Sequence, residues 1–334
     1  MPKVSIIIPA HNEERHIERC IQSLLTQDYE DIEIIVVDNG SRDKTPEIVQ
    51  RHAEKHDGKV KLLRLEKNMG PGGGRNLGAA KASGDILIMI DADMFFPPDY
   101  IGKLIGPIER GEAILATHST EYVANTGNPW VKVQGQTTRG GRGRAGEVFR
   151  AVSKEFFIRH GGFDPRLHYH DDRTFFYKTG VKAIVVEDAY CYHNNPDTAK
   201  EIFRRNYWIG RTFIAVVYNE QGLRGLLHVT AITLMRLMDI IALPSTVAWA
   251  VLQPTTPILN ALILAPLLVF TASTLRMKII KAKTLKEELM LRILYAPSYR
   301  IVRAAGLLAG VLASLFLGLH VASKNLDGDK TAKV

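Results

Sequence analysis

Two aspartates two positions apart, Asp91 and Asp93, follow directly on the apolar run Ile86-Leu-Ile-Met-Ile90. Carboxylates at the carboxyl end of a buried strand sit where open α/β sheets bind ligands, and such a pair can hold a hard divalent cation against a diphosphate. Upstream, Asn68-Met-Gly-Pro-Gly-Gly-Gly-Arg-Asn-Leu-Gly78 reads as a loop rich enough in glycine for its backbone to approach a nucleotide, with Arg75 supplying positive charge. A lone D-x-D tripeptide marks no more than a strand–turn junction; its company gives it weight.

The elements that must position these groups are legible from hydrophobic spacing. Val4-Ser-Ile-Ile-Ile-Pro-Ala-His-Asn-Glu-Glu14 is an apolar strand breaking into a polar loop. Ile17, Ile21, Leu24 and Leu25 then fall on one helix face. A second strand, Ile32 to Val37, ends on Asp38-Asn-Gly-Ser41, and a helix follows over 44–55, starting near Pro46. Val60 to Leu65 and Val181 to Val186 read as further strands. Strand and helix alternate, with a polar or acidic group at each strand's carboxyl end, which predicts a doubly wound, mostly parallel sheet. The dinucleotide fingerprint G-x-G-x-x-G does not open the first helix, and a Walker lysine motif is absent from the sequence.

Pro9-Ala-His-Asn-Glu13, Val37-Asp-Asn-Gly-Ser41, the Asn68–Gly78 stretch and Asp91-Ala-Asp93 resemble, in order and spacing, the nucleotide-binding half of the family 2 glycosyltransferases with the GT-A fold. The resemblance continues through Gly146-Glu-Val-Phe-Arg150, Gly161-Gly-Phe-Asp164 and His170-Asp-Asp172, and covers roughly residues 3–195. It implies transfer of a sugar from a nucleotide-sugar donor, with Mn2+ or Mg2+ on the diphosphate. It further implies that Pro9, Ala10, His11, Asn12, Glu13 and Asp38 line the pocket for base and ribose. Gly74, Arg75 and Asn76 would lie beside nucleotide and sugar. Asp93 would be the firmest metal ligand, with Asp91 close to ribose or metal. His193, after the Val181–Val186 strand, is a further metal candidate, although a lone histidine there is more often structural. Asp172 would be the base of an inverting transfer and Asp171 would replace the family's usual glutamate; an aspartate at this position also suits a helix N-cap.

The second part of the chain differs in composition. The mean hydropathy of −0.04 averages a charged first part with long apolar runs beyond Gly225. Stretches 226–252, 257–275 and 299–321 each approach the roughly 20 apolar residues that cross a bilayer, so three spans are expected, followed by a polar tail over 323–334. Lysine and arginine concentrate between the second and third stretches, and 276–296 reads as an interface helix. By the positive-inside rule that segment and the domain over 1–195 face the cytoplasm, making a multi-pass membrane protein with its catalytic domain on the cytoplasmic face. Arg236 and Asp239, three apart on one helix face, would pair within the first span. A leader segment is not expected before Met1, and Cys20 and Cys191 read as free thiols.

Residues 196–225 interleave apolar groups with arginines, the pattern of an amphipathic segment on a membrane surface. There, Arg204-Arg-Asn-Tyr-Trp208 stands where membrane-bound, cellulose-synthase-like members carry Gln-x-x-Arg-Trp. The partial match implies that Arg204 and Arg205 grip the donor diphosphate and that Trp208 stacks on the acceptor sugar. Net charge of +8 suits anionic lipid and phosphates. Arg139-Gly-Gly-Arg-Gly-Arg144 resembles a glycine–arginine tract, too short to indicate nucleic-acid binding. The expectation is a minimal cellulose-synthase-like inverting transferase moving a hexose to a polyprenyl- or dolichyl-linked acceptor in the membrane. GDP-mannose is the first candidate donor, by resemblance to archaeal and bacterial lipid-linked mannosyltransferases. The alternatives are a processive polysaccharide synthase using a UDP-sugar and a non-enzymatic membrane or nucleic-acid-binding protein.

Overall fold

The computed structural model of the protein describes residues 1–56, 58–135, 146–164, 171–252, 257–280, 282 and 284–316. The chain divides into two compact units, one of residues 1–127 and 136–195, the other of residues 128–135 and 196–334.

The first unit is an α/β layer structure. Its elements are β1 (Val4–Ala10), α1 (Ile17–Leu25), β2 (Ile32–Asp38), α2 (Thr45–Lys55), β3 (Val60–Arg64), α3 (Gly70–Lys81), β4 (Ile86–Met89), β5 (Met94–Phe95), α4 (Tyr100–Glu109) and β6 (Leu115–Val123). The unit resumes with β7 (Ala151–Ser153), α6 (Lys154–Arg159), α7 (Asp171–Thr179) and β8 (Ile184–His193), while α5 (Pro129–Lys132) belongs to the other unit. Alternation along β1 sends side chains to both faces of the sheet. Ile6 and Ile8 join a core with Ile21 and Leu24 of α1 and Leu104 of α4, and Ile7 joins the opposite core with Ala79 of α3 and Phe157 of α6.

The strand order is β3-β2-β1-β4-β7-β6-β8-β5. β1 to β4 are parallel, as expected, but β7 runs antiparallel to both β4 and β6, and β5 antiparallel to β8. The sheet is therefore mixed beyond β4 rather than mostly parallel throughout. β8 also runs on to His193, so this histidine ends the strand instead of following it.

The glycine-rich stretch corrects the reading as a loop: residues 70–81 form helix α3. Gly70 enters it at φ +74°, a conformation other residues rarely adopt. A Cβ at Gly78 would collide with the Ile7 side chain, and one at Gly74 would lie 2.8 Å from Asn39 Nδ2 and 3.2 Å from Pro9 Cβ. The glycines seat the helix close on β1 and the end of β2, and that close approach offsets their poor helix propensity.

The second unit is helical: α5, α8 (Ala199–Leu252), α9 (Pro257–Leu275), α10 (Leu285–Met290), a π-helical turn (Leu291–Tyr295) and α11 (Ala296–Phe316). Gly306 and Gly310 of α11 lie directly against the Phe203 and Tyr207 carbonyls of α8, and Gly210 of α8 lies against the Leu307 carbonyl. This small-residue spacing lets two helix backbones touch. Around α5, Lys132 pairs with Glu287, the Lys132 carbonyl accepts from Ile280 N at 2.9 Å, and Trp130 meets Tyr295 edge-on at 5.5 Å.

The expected membrane spans are not supported. Among the described residues no helix is long and apolar enough to cross a membrane. α8 passes unbroken through the expected boundary between an interface segment ending at 225 and a span starting at 226. Arg236 and Asp239 interrupt the apolar run of that helix and Arg300 and Arg303 that of α11, with Asp239 paired to both Arg236 and Arg300. The Arg139–Arg144 tract, residues 253–256 between the first two expected spans, and the tail 323–334 lie outside the described residues.

Candidate active site

The carboxyl ends of β1, β2 and β4 lie side by side, since β1 pairs with both of the others. The polar groups that the sequence places at these ends therefore share one edge. The loop after β1 is tied to the loop after β2: Asn12 N donates to Ser41 Oγ at 2.9 Å, Arg42 N to Asn12 Oδ1 at 2.9 Å, and Glu13 N to Thr45 Oγ1 at 2.8 Å. Asn12 holds φ +59°, and His11 Nδ1 sits 3.0 Å from the Asn39 carbonyl. Pro9 and Ala10 are the last residues of β1, paired with Val37 and Asp38. Pro9 to Glu13 and Asp38 are thus brought to one edge.

Three oxygen atoms on this edge are buried and have no hydrogen-bond partner among the described residues: Asp38 Oδ2, Asn39 Oδ1 and Asp93 Oδ1. Asp38 Oδ1 accepts from Ser41 N at 3.0 Å, while Arg64 Nε approaches Oδ2 only to 3.5 Å. Buried acceptors left unmade cost about 1–3 kcal/mol each. Their presence together at a sheet edge points to a ligand that brings donors or a cation.

Asp93 Oδ2 lies 3.3 Å from His193 Nε2, and the Asp93 carbonyl accepts from both Asn194 N (3.0 Å) and Asn194 Nδ2 (3.2 Å). The pairing of β5 with the end of β8 sets Met94 opposite His193 and so brings the two candidates together. An orphaned carboxylate oxygen beside an imidazole is a donor set that suits Mn2+ or Mg2+. Asp91, expected close to ribose or metal, is engaged otherwise: Oδ1 accepts from Arg75 Nη2, and Oδ2 from Arg150 Nη1 at 3.3 Å. Two guanidinium groups on one carboxylate disfavour a cation there, which leaves Asp93 as the metal candidate of the pair.

Arg75 and Asn76 hold a neighbouring turn. Arg75 lies over the Phe163 ring at 5.7 Å, and Asn76 exchanges hydrogen bonds with the Phe163 backbone, 2.8 Å to its carbonyl and 2.9 Å from its N–H. Gly162 permits that approach, because a Cβ there would meet Asn76 Oδ1. The Asn76 amide, expected beside the sugar, thus has both ends on the Gly161–Asp164 turn. Asp171 and Asp172 begin α7. Their side chains and His170 lie outside what the structure describes.

Sequence reasoning missed a buried network behind Asp91. Arg150, 3% exposed, donates through Nη2 to Glu121 Oε1 at 3.0 Å and through Nη1 to Asp91. Glu121 also meets His118 Nε2 at 3.0 Å, and His118 Nδ1 meets Tyr100 OH at 2.9 Å. Burial works against the charged guanidinium of Arg150, but Asp91 and Glu121 outweigh it and hold the group charged. His118, Glu121 and Cys191 have ligand atoms within 4.8 Å of one another. Arg150 and Tyr100 already occupy that set, and a guanidinium against Glu121 opposes a cation. The available signal was His118 and Glu121 within a predominantly buried strand, where a charge needs a partner. Near Asp93, the hydrogen bond that His16 donates to Glu13 raises the pKa of His16, burial works against it, and Asp93 adds to the rise.

Arg204, Arg205 and Trp208 lie early in α8 of the helical unit. Arg211 stands over the Trp208 indole at 5.2 Å.

A mixed sheet with unpartnered buried acceptors gathered at the carboxyl ends of its parallel strands is an α/β fold with a candidate ligand-binding edge. The glycosyl transferase family 2 model matches residues 5–174, just over half of the chain, and the chain belongs to that family. The chain has relatives that are named glycosyltransferases. It is 35% identical over 128 residues to an uncharacterized glycosyltransferase of Haemophilus influenzae, covering 38% of this chain and 51% of that protein. It is 30% identical over 159 residues to the GalNAc(5)-diNAcBac-PP-undecaprenol beta-1,3-glucosyltransferase of Campylobacter jejuni, covering 47% of this chain and 48% of that protein. The chain thus spans about half the length of either relative. A mannosyltransferase of Pyrobaculum calidifontis, solved in complex with GDP-Man and Mn2+, shares the fold at 22% identity and a TM-score of 0.55, over 94% of this chain and 87% of that one.

Proposed function

We propose that the protein is an inverting, metal-assisted glycosyltransferase that moves a hexose from a nucleotide-sugar donor to a polyprenyl- or dolichyl-linked acceptor. Mannose from GDP-mannose is the first candidate. The observation that carries the reading is the orphaned, buried Asp93 oxygen beside His193, on the same edge as the orphaned acceptors of Asp38 and Asn39. Asp38 and Asn39 would accept from the nucleoside, and Asp93 with His193 would hold Mn2+ or Mg2+ at the diphosphate. Bound there, the cation would neutralise charge developing on the leaving diphosphate. Arg75 and Arg150 hold Asp91 fixed between them. Asp172 is the proposed base, taking the proton of the acceptor hydroxyl as it attacks the anomeric carbon. Arg204, Arg205 and Trp208 would serve the donor diphosphate and the acceptor sugar.

The relative from Campylobacter jejuni bears the name of an enzyme acting on an undecaprenol-linked substrate, which supports a lipid-linked acceptor and work at a membrane surface. The Pyrobaculum calidifontis enzyme was solved with GDP-Man and Mn2+, which motivates the donor and cation tested first. The test is transfer of radiolabelled hexose from GDP- and UDP-sugars to a polyprenyl-diphosphate-linked sugar, whose hydroxyl is the acceptor, with Mn2+. A single labelled lipid product from GDP-mannose is expected, and Asp172→Asn should lose transfer while still binding donor. A ladder of products refutes single transfer, and full transfer by Asp172→Asn refutes its role as base.

A further inference from the structure

A separate cluster of charges lies wholly within the helical unit. Asp239 on α8 is buried, and its two oxygens are taken by Arg236 Nη1 at 3.1 Å and by Arg300 Nη2 of α11. Arg300 is further fixed by α9: it donates to the Phe270 carbonyl at 2.6 Å and to Thr274 Oγ1 at 3.0 Å, and its guanidinium lies over the Phe270 ring at 4.7 Å. Arg303, one turn along α11 from Arg300, is partly buried and has no hydrogen bond or ion pair among the described residues. Its charge acts on Arg236, as does that of Arg300. Two guanidinium groups therefore pair with one carboxylate, and a third charge, that of Arg303, is close enough to act on Arg236. Thr233, one turn before Arg236 on the same side of α8, has a buried hydroxyl oxygen without a partner.

Clustered like charges that are partly withdrawn from water repel strongly and persist where an anion balances them. Asp239 supplies one negative charge and keeps Arg236 and Arg300 in place, which leaves an excess of two positive charges at Arg236, Arg300 and Arg303. Guanidinium forks match phosphate oxygens in geometry as well as charge, and the Thr233 hydroxyl adds a polar group on the same side. We propose that Arg236, Arg300 and Arg303, with Asp239 as spacer, form a binding site for a phosphate or diphosphate group in the helical unit. The proposal rests on the reading above in one respect: a polyprenyl-linked acceptor carries that group on its lipid. Free phosphate or diphosphate offers the same chemistry from solution.

The experiment measures binding to the full-length protein in detergent, with Trp208 and Trp249 of α8 reporting through their emission. The probes are a short polyprenyl monophosphate, the matching polyprenyl alcohol and inorganic diphosphate. The monophosphate is expected to bind at least tenfold more tightly than the alcohol. Arg303→Gln should remove that difference, and Arg303→Lys should restore part of it. Because Arg303 has no bond within the described residues, the thermal midpoint of Arg303→Gln should match that of the unaltered protein. Diphosphate binding as tightly as the lipid supports a site filled from solution, whereas preference for the lipid supports the acceptor headgroup. Equal binding of monophosphate and alcohol, or an Arg303→Gln protein that keeps the preference, overturns the site. Binding of GDP with Mn2+ is measured on the same sample. If the nucleotide binds and the lipid phosphate does not, this inference fails alone; if neither binds, the donor reading has failed as well.

Discussion

Replacing Arg150 by methionine tests whether the buried network holds Asp91 in place. The guanidinium is 3% exposed, 3.0 Å from Glu121 Oε1 and 3.3 Å from Asp91 Oδ2. Asp91 is 36% exposed, so water replaces much of what it loses. Glu121 is 6% exposed, and methionine would leave its charge buried beside His118 without the guanidinium. Breaking one side of a buried pair costs about 3–5 kcal/mol. Adding Glu121→Leu to Arg150→Met should recover most of the stability, since a pair removed together leaves no lone charge behind. Urea unfolding by circular dichroism measures this. A cost below about 1 kcal/mol for Arg150→Met, or a double variant weaker than the single one, would refute the network's role.

Two further outcomes follow from the packing. A Cβ at Gly310 would meet the Tyr207 backbone of α8, which cannot turn aside, so Gly310→Ala should weaken the helical unit by about 1–3 kcal/mol despite alanine's better propensity. Gly102 of α4 has open space around it, so Gly102→Ala should be neutral or stabilising by up to about 1 kcal/mol, and thermal unfolding of the two variants decides this. Glu33, buried in β2, has its pKa lowered to about 2: burial opposes ionisation, but Lys61, Ser5 and Ser83 together outweigh it. Its contribution is present above the ordinary value of 4.5 and lost as pH falls from there towards 2, so Glu33→Gln should cost about 3 kcal/mol at pH 7 and almost nothing at pH 2, read by urea titration across that range.

The parallel half of the sheet was legible because β1, β2 and β4 are runs of apolar residues ending on Asp38 and Asp91-Ala-Asp93, and a strand's end fixes where its polar group stands. Asp38 and the Asp91–Asp93 pair could be placed at that edge on this ground, whereas the preference for Asp93 over Asp91 came from the family resemblance. The stretch from Gly70 to Gly78 misled, because glycine disfavours a helix unless the helix must lie against a strand, and nothing local reveals Ile7 beneath it. Arg150, Glu121 and His118 were not legible as a unit, since β7 and β6 bring them together only when the sheet assembles. The apolar runs beyond Gly225 suggested spans. The pairing of Asp239 with Arg300, which accounts for two of the charges in those runs, joins residues 61 apart in sequence.

The account rests on Asp93 as the residue that couples nucleotide binding to a divalent cation. Calorimetric titration of GDP and UDP in the presence of Mn2+ or of chelator, on the unaltered protein and on Asp93→Ala, addresses this most directly. The expected result is metal-dependent binding of one nucleotide that falls by at least about 2 kcal/mol, roughly 30-fold, on loss of Asp93. Binding of equal strength with chelator, or in Asp93→Ala, would contradict it.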